Sequence, residues 1–315
     1  MNIVLLESLG VPDEVLNACA KPLIDAGHTF KAYPKDTDPK VQIERAKDAD
    51  VIMIANMPLS GEVISACPNL KYIDVAFTGV DHVDLEAAKA KGVKVSNAAG
   101  YSNEAVSELV LCMMLALLRN VPQVEARCHA GQTKDGLVGV ELMGKTVGIV
   151  GVGAIGTRTA ELCHAFGCKI LGNKRHVRGN EPDYIEFVSL EELLSRSDIV
   201  SLHCPLNEDS RGMINKDTIA KMKPGALLIN AARGPVVDSQ ALADALNSGY
   251  LGGAGIDVFE TEPPLDPAHP LLHSKNTIVT PHVAFASAES MEARCKIVFD
   301  NIAQWMDGHQ TNIIL

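Results

Sequence analysis

Three residues of the types that carry acid–base and anion-binding chemistry follow apolar, strand-like runs in the last third of the chain. They are Arg233, Glu262 and His282. Ligands of open α/β sheets bind beyond the carboxyl ends of strands, so polar residues at these positions carry more functional weight than polar residues elsewhere. The guanidinium of Arg233 is a fixed fork of donors that suits the carboxylate and carbonyl oxygens of a keto acid. Small residues on both sides of it leave space for such a ligand.

His282 follows Pro281, and its side chain has the proton affinity that best suits acid–base work near neutral pH. A lone histidine is usually structural, so this hypothesis depends on Glu262. If the carboxylate of Glu262 contacts His282, it favours the protonated imidazole, which can donate the proton that carbonyl reduction needs. His82 and His203 also lie near predicted strand ends and are the alternative candidates.

A glycine-rich loop stands between the apolar run 146–150 and a helical stretch, in the pattern G-x-G-x-x-G. The first glycine permits a tight turn, the second lets a pyrophosphate approach the backbone, and the third lets the helix pack close to the strand. The helix N-terminus then attracts the phosphates. With a strand before it and a helix after it, the loop predicts a dinucleotide site. The predicted site comprises Gly151, Gly153, Ala154, Ile155 and Gly156.

The segment after the second strand of this unit indicates which dinucleotide is bound. An NAD-binding unit usually has an acid there that holds the ribose hydroxyls. Here the strand is followed by Asn173, Lys174 and Arg175, with Arg178 nearby, and no acid stands at that position. These basic side chains could hold a 2′-phosphate, so the sequence favours NADP over NAD. The alternative is a solvated basic loop on a protein that accepts both cofactors.

The composition excludes several classes of protein. The formal net charge is -11, which argues against nucleic acids and anionic membranes as partners. No window is apolar for long enough to cross a bilayer, and the N-terminus lacks the basic segment of a signal peptide. The 8 cysteines contain no CxxC pair, and neither Cys163-His164 nor His203-Cys204 repeats as a zinc site requires. We expect a cytoplasmic protein with reduced thiols and no metal.

The elements that position these residues alternate between strand-like runs and amphipathic segments of helix length, such as 13–26 and 41–47. This alternation predicts an α/β fold with parallel, doubly wound sheets. It is interrupted by a long apolar helix at 103–118, so we predict two wound units in tandem. We expect the last helix, at about 288–306, to pack back on the first unit and make it discontinuous. The predicted strands are 2–6, 30–32, 51–54, 72–76, 93–95, 146–150, 169–171, 199–202, 226–229, 253–258 and 277–279.

These motifs resemble the D-isomer-specific 2-hydroxyacid dehydrogenases, and in particular their glyoxylate/hydroxypyruvate reductase-like members, over essentially the whole chain. The resemblance implies a Rossmann-type NAD(P)-binding domain over residues 100–284. It further implies a discontinuous, flavodoxin-like substrate-binding domain over residues 1–99 and 285–315. The matching segments are A-F-T-G-V-D-H-V-D (76–84), N-A-A-G-Y-S (97–102), the glycine loop, N-A-A-R-G (230–234), I-D-V-F (256–259) with Glu262-Pro263, and T-P-H (280–282).

The resemblance also implies roles for individual residues. Arg233 would bind and polarise a 2-keto acid, His282 would be the general acid/base and Glu262 its partner. The backbone N–H groups of Thr78 and Gly79 would bind the substrate carboxylate. Further expected substrate contacts are Asn56, Met57 and Phe77, and further expected cofactor contacts are Cys204, Pro205, Ala231, Ala232, Asp257 and Ala284, together with Arg233 and His282.

The same resemblance implies a homodimer built largely on the helix at 103–118, and closure of the two lobes with hinges near 97–100 and 284–287. Two departures from the family pattern concern the cofactor. Lys174 stands where an acid is usual, and Val283-Ala284-Phe285 replaces a glycine-rich segment after the histidine. Two alternatives remain from the sequence: a dehydrogenase of an amino acid or another small carboxylate, and a non-catalytic protein that senses NAD(P) or acts as a corepressor.

Overall fold

The computed structural model describes residues 1–315 and divides the chain into two units. Unit 1 comprises Met1–Ser102 and Ala286–Leu315, and unit 2 comprises Asn103–Phe285. The C-terminal helix, Ala288–Met306, therefore belongs to the unit that is formed by the start of the chain. Its N-terminus carries a capping box in which the side chains of Ser287 and Ser290 bond each other's backbone N–H groups.

Unit 1 contains a five-stranded sheet in the order β2-β1-β3-β4-β5, and every pair of neighbouring strands is parallel. This is the flavodoxin-like strand order. The two central strands are fully buried, as expected for a parallel sheet covered on both faces. The strands are β1 (Asn2–Leu5), β2 (Thr29–Ala32), β3 (Val51–Ile54), β4 (Tyr72–Val75) and β5 (Lys94–Asn97). The helices are α1 (Asp13–Asp25), α2 (Pro39–Ala46), α3 (Gly61–Ala66), α4 (Leu85–Ala90) and the C-terminal α11 (Ala288–Met306).

Unit 2 contains a seven-stranded parallel sheet in the order β12-β11-β10-β9-β6-β7-β8. Its order reverses between β6 and β9, as in the Rossmann fold. The two predicted parallel-sheet α/β domains are thus confirmed. The strands are β6 (Thr146–Val150), β7 (Lys169–Asn173), β8 (Ile185–Phe187), β9 (Ile199–Leu202), β10 (Leu227–Asn230), β11 (Gly253–Ile256) and β12 (Thr277–Val279). The helices are α5 (Asn103–Leu118), α6 (Val121–His129), α7 (Ala154–Ala165), α8 (Leu190–Arg196), α9 (Lys216–Ile219) and α10 (Ser239–Asn247).

One strand of unit 2 was not predicted, and two were predicted with the wrong length. Strand β8 is a three-residue edge strand after a polar loop, and so short a run shows no clear periodicity. The predicted strand 169–171 is two residues too short, since β7 ends at Asn173. The predicted strand 253–258 is two residues too long, since β11 ends at Ile256. Asp257 leaves the sheet there and its side chain bonds a loop instead. This early end matters for the site described below.

Helix α5 packs on α7 and on strands β10 and β11 of unit 2. Gly255 in β11 permits this approach, because a Cβ atom there would lie 2.9 Å from the sulfur of Met113. No single helix of the chain is both long and apolar enough to cross a membrane. Only α5 and α6 taken together, bent by 64°, meet the length and composition criteria.

Candidate active site

The glycine loop lies at the point where the strand order of unit 2 reverses, between β6 and β9. Gly151 has φ 97°, and a Cβ atom there would lie 2.5 Å from the backbone nitrogen of Cys204. A Cβ atom at Gly156 would lie 2.2 Å from the carbonyl oxygen of Gly151. Both positions therefore require glycine, for the conformation and close packing of the backbone.

Gly153 differs from these two glycines, because no atom lies within 4 Å of the position that its Cβ would occupy. It precedes α7, whose N-terminus has no side-chain cap. The first intrahelical hydrogen bond runs from Thr157 N–H to Gly153 O (2.8 Å), so the N–H groups of Ala154, Ile155 and Gly156 precede it. Open space beside uncapped N–H groups at a helix N-terminus fits a pyrophosphate. The residues present thus fit a dinucleotide cofactor.

Three other predicted cofactor residues border this loop. The carbonyl oxygen of Asn173 accepts a hydrogen bond from Gly151 N–H (2.8 Å), which joins the end of β7 to the loop. Cys204 and Pro205 follow β9, and the hydroxyl of Ser210 donates to the carbonyl oxygen of Pro205 (2.6 Å). Burial raises the pKa of the Cys204 thiol, which remains a neutral group at the edge of the site.

The basic residues after β7 are paired with acids, which the sequence did not predict. The Nζ atom of Lys174 lies 2.7 Å from Oε1 of Glu181. Glu181 also accepts hydrogen bonds from the N–H groups of Arg178 and Gly179, both at 2.8 Å. These backbone bonds and Lys174 lower the pKa of Glu181 to about 2. Arg175 forms an ion pair with Asp209.

Arg233, Glu262 and His282 follow three consecutive strands of the sheet in unit 2. Strand β11 lies between β10 and β12, and Ile256 is in register with Asn230 on one side and Val279 on the other. Arg233 follows β10, and its Nη1 donates to the carbonyl oxygen of Ala232 (2.7 Å). A Cβ atom at Gly234 would lie 1.9 Å from the carbonyl carbon of Phe259, so the segment after β10 lies directly against the segment after β11.

His282 and Glu262 are in contact. The Nδ1 atom of His282 lies 2.9 Å from each carboxylate oxygen of Glu262. The imidazole is largely buried, with 11% of the side chain exposed, whereas 54% of the Glu262 side chain is exposed. The ring also packs edge-on against Phe285, at 5.6 Å between centroids. The carboxylate therefore fixes the orientation of the imidazole.

The backbone of His282 is held in a left-handed conformation, with φ 57°. Such a conformation costs roughly 1–3 kcal/mol for a residue other than glycine and persists only where neighbours hold it. Here the N–H of His282 donates to the carbonyl oxygens of Asp257 (2.7 Å) and Thr280 (3.0 Å). The same turn that strains the backbone directs the imidazole towards Glu262.

Asp257 bonds the whole loop that carries His282. Its fully buried carboxylate accepts hydrogen bonds from the hydroxyl of Thr280 (2.5 Å) and from the N–H groups of Val283 and Ala284 (both 2.9 Å). Burial raises the pKa of the Asp257 carboxyl, and these three bonds oppose part of that rise. The side chain of Asp257, expected to meet the nicotinamide, is thus engaged within the protein.

Of the two alternative histidines, His203 is less suited to proton transfer. The Nε2 atom of His203 lies 2.9 Å from the hydroxyl of Ser201, and removal of the ring from solvent lowers the pKa of His203 to about 4. It is therefore neutral near pH 7. His82 lies in unit 1, where its carbonyl oxygen accepts a hydrogen bond from Leu59 N–H (2.9 Å).

The predicted substrate-binding residues of unit 1 follow β3 and β4. The side chains of Met57 and Phe77 are buried, whereas Asn56, Thr78 and Gly79 keep access to solvent. The N–H groups of Ala55 and Met57 both donate to the buried carboxylate of Glu7, at 2.8 and 2.7 Å. The segment around Asn56 therefore has a fixed backbone.

Comparison with known proteins identifies the family. A family described as "D-isomer specific 2-hydroxyacid dehydrogenase, NAD binding domain" matches residues 111–284. The chain belongs to this family. It is an NAD(P)-dependent oxidoreductase with a Rossmann-type cofactor domain, and it interconverts 2-keto and 2-hydroxy acids. The expected nicotinamide cofactor and enzyme class are thereby confirmed, and no match supports the corepressor alternative.

Relatives of this 2-hydroxyacid dehydrogenase include a hydroxypyruvate reductase from Blautia hydrogenotrophica, 36% identical over 286 residues that cover 88% of each protein. A glyoxylate reductase from Thermofilum pendens is 37% identical over 289 residues, which cover 89% of this chain and 85% of the relative. Among solved structures, an acyclic imino acid reductase in complex with NADPH and D-Arg superposes with a TM-score of 0.91. That protein is 29% identical, and the match covers 100% of both chains.

Two polar residues that the structure makes prominent had no sequence prediction, Glu181 in unit 2 and Asn301 in unit 1. Glu181 stands seven positions after Lys174. The one sequence feature that could have indicated this ion pair is an acidic residue shortly after a basic segment. Asn301 of α11 bonds the end of β5, as described below, and no local pattern distinguishes it from other polar residues on a helix. Both roles depend on contacts between separate segments of the chain.

Proposed function

We propose that this dehydrogenase reduces glyoxylate, hydroxypyruvate or a keto acid of similar size to the D-2-hydroxy acid, with NADPH as the preferred reductant. Arg233, Glu262 and His282 are the proposed catalytic residues. The proposal depends most on the 2.9 Å contact between His282 and Glu262. Glu262 follows β11 and His282 follows β12, and Arg233 follows β10 on the other side of β11. The names of the two curated relatives described above support the substrate class.

In this reaction the chain's own groups bind the keto acid and move one proton. Arg233 binds the keto acid and stabilises the negative charge that develops on the carbonyl oxygen. His282 holds Glu262 through Nδ1, so Nε2 is the nitrogen that donates the proton to that oxygen. When bound, the nicotinamide supplies the hydride for the keto carbon. Glu262 keeps the imidazole oriented for the transfer.

The two units have separate proposed tasks. Unit 2 binds the cofactor along the glycine loop, with Cys204, Pro205, Ala231, Ala232 and Ala284 as further contacts. Unit 1 binds the substrate carboxylate through the N–H groups of Thr78 and Gly79, neither of which donates a hydrogen bond within the chain. The fixed backbone near Asn56 bounds the proposed substrate site, which suits small substrates.

The preference for NADPH rests on the residues after β7. No acid stands at the end of that strand to hold the ribose hydroxyls, and Lys174 and Arg175 are cations at the expected position of a 2′-phosphate. When Lys174 moves away from Glu181, the carboxylate keeps its hydrogen bonds to two backbone N–H groups. A 2′-phosphate can then replace Glu181 as the anionic partner of Lys174. The NADPH complex of the imino acid reductase is consistent with this preference.

We also propose a cytoplasmic homodimer. The resemblance implies a dimer contact on α5, and four large apolar side chains that follow α5 in the chain are exposed, where a second copy of the chain would cover them. Val138 and Val140 lie in the loop before β6. The four residues are Val121, Val138, Val140 and Met143.

Steady-state oxidation of NADPH and NADH in parallel tests the proposed reaction. The substrates are glyoxylate, hydroxypyruvate, pyruvate and a branched 2-keto acid, each with and without a primary amine. We expect the highest kcat/KM for glyoxylate or hydroxypyruvate with NADPH and no requirement for the amine. Turnover that needs the amine would indicate imine reduction and overturn the proposed substrate class.

A further inference from the structure

A buried polar cluster lies in unit 1 behind the segment that contains Thr78 and Gly79. It consists of Asp74 on β4, Asn97 at the end of β5 and Asn301 on α11, which are 0%, 7% and 2% exposed. Most buried polar side chains are hydrogen-bonded, so the partners of these three indicate what the cluster holds in place. None of the three has a part in the proton transfer proposed above.

Asn301 uses the full hydrogen-bonding capacity of its amide, which is two donors and two acceptor positions. Its Nδ2 donates to Oδ1 of Asp74 (3.1 Å) and to the carbonyl oxygen of Asn97 (2.9 Å). Its Oδ1 accepts from the hydroxyl of Thr311 and from Nδ2 of Asn312, both at 2.9 Å. The orientation of the side chain is therefore fixed, and it anchors the end of β5.

Asn97 extends this anchor to the segment after β4. Its Nδ2 donates to the carbonyl oxygen of Thr78 (2.6 Å), and its Oδ1 accepts from Ala99 N–H (3.2 Å). The N–H of Ala98 donates to the carbonyl oxygen of Phe77 (3.0 Å). Because a peptide unit is planar, fixing the carbonyl of Thr78 also fixes the direction of the N–H of Gly79.

Asp74 completes the cluster as an acceptor. Its Oδ2 is buried and has no hydrogen-bond partner, whereas its Oδ1 accepts from Asn301. Burial raises the pKa of Asp74 well above its usual range. Asp74 therefore takes one donor of the Asn301 amide and leaves the other for the carbonyl oxygen of Asn97.

We propose that Asn301 is a positioning residue for substrate binding. Through Asn97 it holds the carbonyl of Thr78 and so aims the N–H groups of Thr78 and Gly79 at the substrate carboxylate. This inference rests on the proposed function, in which those N–H groups bind that carboxylate. The residue acts through Asn97 and does not itself touch the substrate.

Asn301→Ala removes the anchor and should raise KM for the keto acid about 10-fold or more, the cost of losing a buried hydrogen-bond partner. KM for NADPH and kcat at saturating keto acid should stay within about twofold, because unit 2 is unchanged. Gln304→Ala, an exposed position on the same helix, is the matched control and should behave as wild type. The Kd for oxamate, a carboxylate ligand that is not reduced, should rise in parallel with KM.

The Asn97→Asp variant tests the same series of hydrogen bonds without creating the cavity that an alanine substitution leaves. It keeps the acceptor for Ala99 N–H but replaces the donor to Thr78 by an oxygen, so it should also raise KM and the oxamate Kd. Combined with Asn301→Ala it should be no worse than the more severe single variant, because both act on one contact. This variant decides the question if Asn301→Ala does not fold.

Four results separate the outcomes. Unchanged KM and oxamate Kd in the folded variants would overturn the positioning role. An equal loss in kcat, in KM for NADPH and in KM for the keto acid would also overturn it, since a general structural role predicts that pattern. Absence of turnover in the wild type would overturn the proposed function. In that case a weaker oxamate Kd in Asn301→Ala would still support the positioning role.

Discussion

The Nδ1 atom of His282 lies 2.9 Å from both carboxylate oxygens of Glu262, a residue 20 positions earlier in the chain. The imidazole is largely buried, whereas about half of the Glu262 side chain is exposed to solvent. The carboxylate charge is therefore solvated, and the ring beside it has a fixed position. The left-handed turn at His282 and the carboxylate of Asp257 hold the other side of the loop. The proposed proton donor is thus positioned from two directions.

Replacement of His282 by glutamine should lower kcat by at least about 100-fold, the usual contribution of a general acid. KM for the cofactor should change little, because the glycine loop is untouched. His273→Gln, at an exposed position of the same unit, is the control and should have no effect. Turnover of His282→Gln within a few-fold of wild type would remove His282 from the mechanism.

The Glu262→Gln variant should lower kcat less, by about 10- to 100-fold, because the proposed proton donor remains but loses the carboxylate that orients it. Single-turnover measurements at saturating NADPH check this expectation. If Glu262→Gln is as active as wild type, the contact seen in the structure has no part in proton transfer. A loss equal to that of His282→Gln would mean that the imidazole does not work without its partner.

Glu181→Gln should free Lys174 for a 2′-phosphate and raise the ratio of kcat/KM for NADPH over NADH. A rise of up to about 5-fold is expected, the size of a partly exposed ion pair. Glu186→Gln is the control, since Glu186 on β8 forms an ion pair with Arg196 on α8 and not with Lys174. A ratio that stays constant or shifts towards NADH would show that Lys174 does not contact the phosphate.

His203 predicts a dependence of stability on pH. Its folded-state pKa is lowered to about 4 from 6.5, so only the unfolded chain binds a proton between these values. The free energy of unfolding should therefore fall as pH drops from 6.5 towards 4, by up to about 1.4 kcal/mol per pH unit for this group. Urea denaturation of wild type and His203→Asn checks this, and the variant should lose that part of the slope. Parallel curves for the two proteins would contradict it.

Val140→Asp should shift the proposed dimer towards monomer, because it places a charge on the exposed apolar surface near α6. Light scattering across a range of concentrations measures the change. Ile24→Asp is a matched control, since Ile24 is 48% exposed and Val140 is 51% exposed. An equal mass for wild type and Val140→Asp would place the dimer contact elsewhere or exclude a dimer.

Much of the site was predictable because the signals are local. The glycines at 151, 153 and 156 follow a strand and precede a helix, and each has the close approach or the open space that its position implies. Arg233, Glu262 and His282 stand after strands that the apolar runs predict. Strand order could also be expected, because alternating strands and helices permit few arrangements of a parallel sheet.

Only the tertiary structure decided which side chains are partners. Glu181 neutralises Lys174 across a loop, Asp257 turns out of β11 to bond the loop after β12, and Asn301 reaches Asn97 from 204 positions away. A sequence pattern records whether a residue is buried or follows a strand, since these depend on its neighbours along the chain. Hydrogen bonds between distant segments depend on how those segments pack, and no local pattern contains that information.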